Sequence, residues 1–254
     1  MLNLPKDQNF SVELKIKKFA YNHEILFKNL NLILKAGEWS CLLGGSGVGK
    51  TTLLRCFAGL QTKNHNIAVS CSDGGQLDTR ISYMAQNDLL FPWLTALENI
   101  TIGTKLRGAK IDNEKGLYFL NLVGLFKNRS DLPDKLSGGM RQRIALARTL
   151  MENRQIILMD EPFSNLDTIT KLKMQDLASD LLKSNTVLIV THDPMEAVRL
   201  GNRIYVLYDR PGRLEKVIKI NSVKPRQITD TKLLELHAQL LNQLSFEQNN
   251  GIET

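Results

Sequence analysis

The chain has 254 residues, a hydrophobic fraction of 43% and a charged fraction of 23%, proportions that suit a folded globular protein of one large domain or two small ones. Its net charge of +7 suits nucleic acid, an acidic membrane face or nucleotide phosphates, but the basic residues are scattered and no block interleaves with aromatics as a nucleic-acid surface would, so a solvated surface is expected, with a bias toward an acidic membrane face as the alternative. No apolar run approaches the ~20 residues that span a bilayer, and Met1 to Asp7 lack the apolar centre of a signal peptide, so a cytoplasmic protein is expected.

Ser11 to Ile16 alternate polar and apolar residues and read as a strand; Ile25 to Leu34 form a second alternating region. Together they make an antiparallel β subdomain, in which Tyr21 either fills space or stacks on a base ring. Cys41-Leu42-Leu43 reads as a buried strand. It leads into Gly44-Gly45-Ser46-Gly47-Val48-Gly49-Lys50-Thr51-Thr52, and Thr51 to Ala58 read as a helix. Strand, glycine-rich turn and helix in that order, with G-x-x-x-x-G-K-[ST] at the turn, form a phosphate cradle. Backbone N–H groups converge there, the helix adds its positive end, Lys50 supplies a mobile charge, and the Thr51 hydroxyl can ligate Mg²⁺. Cys41, Cys56 and Cys71 show no CxxC pairing, and idle thiols are expected rather than a metal site or disulfide.

Gln61 to Asp78 read as polar and irregular, with a turn at Asp73-Gly74-Gly75, and Arg80 to Met84 as a strand ending at Gln86. Asp88 to Thr95 place five large apolar residues around Pro92, either a turn into the next helix or an exposed edge for a partner. The stretch from Thr95 to about Arg129 has a helical pattern and reads as an insertion into an α/β core. Ser137-Gly138-Gly139 then opens another helix: Ser137 stands where its oxygen can cap, and the glycines expose N–H groups to an anion, with no lysine beside them.

Gln155 to Met159 read as a central parallel strand. It ends in Asp160-Glu161, whose side chains point to opposite sides, so one can face a metal while the other faces a neighbouring position. Ser164 to Asp167 lead to a helix from Thr168 to Lys183. A further buried strand, Thr186 to Val190, ends at His192, structural or catalytic by itself. Pro194 starts a short helix, Ile204 to Leu207 form the last core strand, and the tail from Ile228 reads as one amphipathic helix.

Over essentially its whole length the sequence resembles the ATP-binding subunits of ABC transporters. The glycine loop matches Walker A, Leu136 to Met140 the LSGGQ signature with methionine fifth, and Ile156 to Glu161 Walker B. Gln86 matches the Q-loop, Ser164 to Asp167 the D-loop and His192 the switch histidine. The resemblance implies an α/β P-loop cassette: a parallel-sheet core, an antiparallel β subdomain and a helical subdomain. It makes residues 1–254 a single ATP-binding domain, with the helical subdomain at about 88–140 and a C-terminal helix and tail at 228–254.

It also implies roles. Tyr21 would stack on adenine. The loop from Gly44 to Thr52 would wrap the phosphates, with Lys50 on the outer two. Thr51, Asp160 and Gln86 would serve Mg²⁺. Glu161 would be general base, His192 would contact the outermost phosphate, and Gln86 would join the site to the membrane partner. Ser137, Gly138, Gly139 and Asp167 would complete the ATP site of a second copy in a head-to-tail dimer. The expected partners are that copy, transmembrane permease subunits met through Gln86 to Leu94, and indirectly a solute-binding protein. The expected place is the cytoplasmic face of the membrane, and no nucleic acid is expected.

Asp88 to Thr95, Glu161 to Ser164 and Arg210-Pro211-Gly212 are similar to the nitrate, sulfonate and taurine importer group, and Tyr83 to Gln86 to subunits for uptake of a pyrimidine precursor of thiamine. Ala85 departs from the phenylalanine usual in the first group. About 40 residues follow the turn at Arg210-Pro211-Gly212, so no full β-barrel regulatory domain is expected. The alternative class is a soluble ABC ATPase not coupled to transport.

Overall fold

The computed structural model describes residues 9–21, 24–61, 66–214 and 217–250. The first sheet has the order β2-β1-β4, all antiparallel, with β1 at Val12–Tyr21, β2 at Glu24–Leu34 and β4 at Ile67–Cys71. Val12, Leu14 and Ile16 point inward, opposite Leu34, Leu32 and Leu30, as a period of two requires. The register shifts between Phe19 and Ala20, a bulge just before Tyr21. Strand β4 lies inside the segment expected to be irregular. It is a five-residue edge strand whose alternate residues Ile67, Val69 and Cys71 are only half-buried, so its pattern in the sequence is faint.

The second sheet runs β10-β8-β3-β7-β6-β5, with β9 paired to β8. Its parallel centre comprises β8 (Arg203–Tyr208), β3 (Trp39–Gly44), β7 (Thr186–Val190), β6 (Ile156–Asp160) and β5 (Ile81–Met84). The short strands β9 (Arg213–Leu214) and β10 (Ile218–Lys219) pair antiparallel with β8 and extend the core beyond its expected last strand. Strands β3, β6 and β7 are buried along their whole length, covered on both faces. Leu42, Leu158 and Leu188 face the antiparallel sheet, with helix α1 (Lys50–Phe57) packed between the two; Leu43, Met159 and Ile189 face the other way.

On that opposite face lie α2 (Ala96–Leu106), α3 (Asn113–Leu122), α4 (Gly138–Met151), α5 (Thr168–Leu181), α6 (Pro194–Leu200) and α7 (Thr231–Asn250). Thr95 starts α2 with a capping box to Glu98, a device worth about 1 kcal/mol. The expected helical stretch from Thr95 is thus two helices, separated where Gly108 takes a φ of 68°. Ile100, Phe119 and Ile144 share one apolar cluster with Met159 and Phe163, so the helical insertion and the main sheet are built on common packing. Because β3, β5, β6 and β7 are all parallel, the residues that follow their carboxyl ends gather along one edge of the sheet, the place where open α/β folds bind ligands.

Candidate active site

The glycine loop leaves β3 at Gly44 and enters α1 at Lys50. Gly49 has a φ of 108°, and a Cβ there would sit 2.9 Å from the Phe27 ring. Only glycine satisfies both conditions. At Gly44 a Cβ would come within 2.3 Å of the Leu207 carbonyl oxygen. Helices α2 to α6 each carry a side-chain cap at the N-terminus, whereas α1 has neither a side-chain cap nor an acidic residue in its first turn. Its N–H groups and positive end are left for an anion.

Lys50 Nζ donates to the Gly44 and Gly45 carbonyl oxygens, both at 2.8 Å. Burial pushes this ammonium down from its ordinary range, while Glu161 and Asp160 pull it back up. The cleft around it has a volume of about 470 Å³. It is lined by Tyr21, Glu24, Ser46, Gly47, Gly49, Lys50, Thr51, Thr52, Arg55, Gln61, Gln86, Glu161, His192 and Arg210, among others. Six sequence segments far apart in the chain therefore converge on one cleft. Tyr21 is 67% exposed at its rim. Val48 belongs to this loop but is buried in the apolar core, so only its backbone can serve a ligand.

Asp160 ends β6, is 1% exposed, and has Oδ2 buried with no hydrogen-bond partner. Burial pushes its carboxyl up; a hydrogen bond with Thr51 opposes this, Glu161 adds repulsion, and Lys50 and Arg55 stabilise the charge. A stranded carboxylate oxygen beside a threonine hydroxyl is a donor pair suited to Mg²⁺, which takes one or two carboxylates and completes its shell with water and phosphate. Among the described residues no three His, Cys, Asp or Glu side chains cluster as a metal cage. The ion would therefore be held by Thr51, Asp160 and the substrate's phosphates together.

Glu161 follows with a φ of 48°, in the left-handed region that costs a non-glycine residue about 1 kcal/mol or more. Its N–H donates to the Val190 carbonyl oxygen at 2.8 Å. The turn swings its side chain toward the end of β7, where His192 Nδ1 lies 3.0 Å from Glu161 Oε1. The two acids thus diverge, Asp160 to Thr51 and Glu161 to His192.

Ser137, Gly138, Gly139 and Asp167 lie outside this cleft. Ser137 caps α4 by accepting from Met140 N at 3.2 Å, and Asp167 caps α5 by accepting from Thr170 N at 3.0 Å. Arg210 was not expected as a cleft residue; it donates to the Gly47 carbonyl oxygen at 2.7 Å and pairs with Glu24. Arg55 and Gln61 were equally hidden. No local pattern marks any of the three, because the parts of the cleft they join are distant in sequence.

The ABC transporter family model matches residues 27–164. An ABC transporter ATP-binding protein of Haemophilus influenzae is 41% identical over 93% of this chain and all of its own length. An aliphatic sulfonates import ATP-binding protein of Rhodococcus jostii is 38% identical over 90% of this chain and 91% of its own. A nitrate import ATP-binding protein of Synechocystis sp. is 39% identical over 78% and 76%. Among solved structures, a dimeric ATP-binding cassette in a post-hydrolysis state with ADP and Pi superposes with a TM-score of 0.73 at 33% identity, covering 84% of this chain and all of that one. Given this agreement with the strand-edge cleft, the chain belongs to the ABC transporter family, as one of its ATP-hydrolysing cassettes.

Proposed function

We propose that this cassette drives a membrane importer for a small solute, hydrolysing MgATP between two head-to-tail copies. The observation that carries the reading is the convergence of the uncapped α1 terminus, Lys50, the Thr51–Asp160 pair and the Glu161–His192 pair on one cleft.

In this reading Tyr21 stacks on the adenine ring, and the N–H groups from Gly45 to Thr52 hold the phosphates. Lys50 Nζ leaves the Gly44 and Gly45 carbonyls for the outer two phosphates. Thr51 and Asp160, with Gln86, hold the magnesium ion, which offsets phosphate charge when bound. Glu161 accepts a proton from the attacking water, and His192 orients Glu161 and meets the outermost phosphate. Catalysis is then mostly positioning and electrostatics. Ser137, Gly138, Gly139 and Asp167 lie off the chain's own cleft because they serve the ATP of the second copy. The dimeric relative with ADP and Pi supports that assembly.

The helical subdomain, about 88–140, carries the contact with the permease. Leu89 is 62% and Trp93 70% exposed, on a loop that begins just beyond Gln86. No helix among the described residues is long and apolar enough to cross a membrane; in this reading the permease holds the cassette at the cytoplasmic face. The names of the sulfonate and nitrate relatives favour a small oxyanion as solute; a pyrimidine thiamine precursor is the other candidate. The deciding experiment is uptake of labelled sulfonate, nitrate and aminopyrimidine into vesicles holding the cassette and its cognate permease. ATP-dependent accumulation of one solute, lost in Glu161→Gln, is the expected result. Vigorous ATP hydrolysis without any bound permease in a membrane pull-down would remove the transport role.

A further inference from the structure

The second turn of α4 presents a glutamine, Gln142, to the protein interior, where it is 1% exposed. A primary amide so placed is costly unless its N–H groups are used. Gln142 Nε2 donates to the Glu161 carbonyl oxygen at 3.2 Å and to the Pro162 carbonyl oxygen at 3.0 Å. The Glu161 carbonyl also accepts from Ser164 N at 3.3 Å and Ser164 Oγ at 3.1 Å. On the other side Glu161 N is tied to Val190. The left-handed backbone of Glu161 is therefore clamped from α4, from β7 and from its own turn.

The tip of α4 is seated on the same segment. A Cβ at Gly139 would come within 3.1 Å of the Asn165 carbonyl oxygen, and Arg143 faces the charge of Asp167. The Ser137 to Gly139 tip is thus packed closely against the 161–167 segment.

We propose that Gln142 is a positioning residue which ties engagement of the α4 tip by the neighbour's ATP to the placement of Glu161 in its own chain. The proposal rests on the head-to-tail reading above. Each copy's general base is then set by the nucleotide held in the other copy's cleft, so the two sites fire in concert. Gln142 touches neither nucleotide.

The test uses the full-length protein with MgATP. Gln142→Met keeps the volume and removes both donated bonds. Expected is a kcat lowered about tenfold or more, since small misplacements of a catalytic group are expensive. The KM and ATP affinity should stay near wild type, and the Hill coefficient for ATP should fall toward unity. Gln142→Glu can donate only when protonated, so its activity relative to wild type should decline as pH rises; a side chain that merely fills space gives a flat ratio. Unchanged kcat in both variants overturns the proposal, as does a loss matched by equal falls in ATP affinity and Tm. If Gln142→Met does not fold, the pH profile of Gln142→Glu decides alone. ATP-driven pairing in a Glu161→Gln background separates the dimer itself from the role of Gln142. Absence of pairing there removes the dimer and this proposal with it. Pairing together with normal kcat and cooperativity in Gln142→Met removes only the role of Gln142.

Discussion

Glu161 Oε1 and His192 Nδ1 stand 3.0 Å apart, joining the carboxyl ends of two adjacent parallel strands. Glu161→Gln should keep ATP binding and lose about 10²-fold or more of turnover, the contribution of a general base. His192→Ala should also lose turnover. Because the two act as a unit, the double variant should be little worse than Glu161→Gln alone. Single-turnover hydrolysis of the three variants checks this; strictly additive losses would show that the pair is not coupled.

Lys50→Ala should weaken ATP binding by about tenfold or more, on the basis of roughly 1.5–3 kcal/mol for a hydrogen bond to a charged group. Nucleotide titration measures it. The nucleotide-free protein should change little in Tm, because burial works against the Lys50 ammonium and its hydrogen bonds go to carbonyls of its own loop, Gly44 and Gly45. An unaltered ATP affinity would show that the lysine does not leave those carbonyls.

Asp160 poses a contrast between the empty and loaded protein. Its carboxyl is raised by burial above the ordinary value of 3.8. In the window from that value up to the raised one, the native state holds a proton that the unfolded chain has lost. Stability of the nucleotide-free protein therefore falls as pH rises through the window. Asp160→Asn removes the burden, so its empty form should melt at the same or a higher temperature than wild type at neutral pH. MgATP should protect the variant less than wild type. Thermal melts with and without MgATP test both halves.

Glu196, in the first turn of α6, is pushed up to about 7 by burial, with Lys171 pulling it down and Asp193 adding repulsion. It faces Lys171 at 3.4 Å, Gln175 at 3.3 Å and Thr191, and Oε1 has no partner. The unfolded value is near 4.5, so the native state binds the extra proton between about 4.5 and 7. Stability contributed by this group is full below that window and is lost as pH rises across it. Glu196→Gln should therefore gain Tm relative to wild type as pH increases from 5 to about 8. A difference that stays constant across that range would contradict the assignment.

Gly49→Ala combines a backbone at φ 108° with a Cβ contact of 2.9 Å to Phe27. Expected is a loss of more than about 1 kcal/mol of stability together with weaker ATP binding. Chemical denaturation and nucleotide titration on one preparation check the two together.

Much of this architecture was legible because its signals are local. The glycine loop announces itself by spacing, and β6 and β7 by unbroken apolar runs that stop at Asp160 and near His192. Helix starts followed from Ser137 and Pro194, whose local chemistry is contained in a few residues. What escaped depends on tertiary placement. Strand β4 was invisible because a half-buried edge strand needs little hydrophobicity. The break between α2 and α3 lies in a polar stretch whose surrounding periodicity continues. Arg210 reaches the loop only because β8 runs beside β3, and Gln142 looks like any polar residue of a helix until α4 is seated on the Glu161 turn.

The bulge bearing Leu89 and Trp93 is bolted to α4. Arg148 donates to the carbonyls of Asp88 and Leu89, and Arg141 binds the Asp88 carboxylate. Arg141 sits four residues beyond Ser137, so one 14-residue rod, about 21 Å long, holds the Leu89–Trp93 loop along its shaft and, in the proposed assembly, would turn its tip to the opposing copy. A rigid lever transmits in both directions. In the proposed importer, a solute held by the permease would change the grip on ATP by the same factor by which ATP changes the grip on the solute.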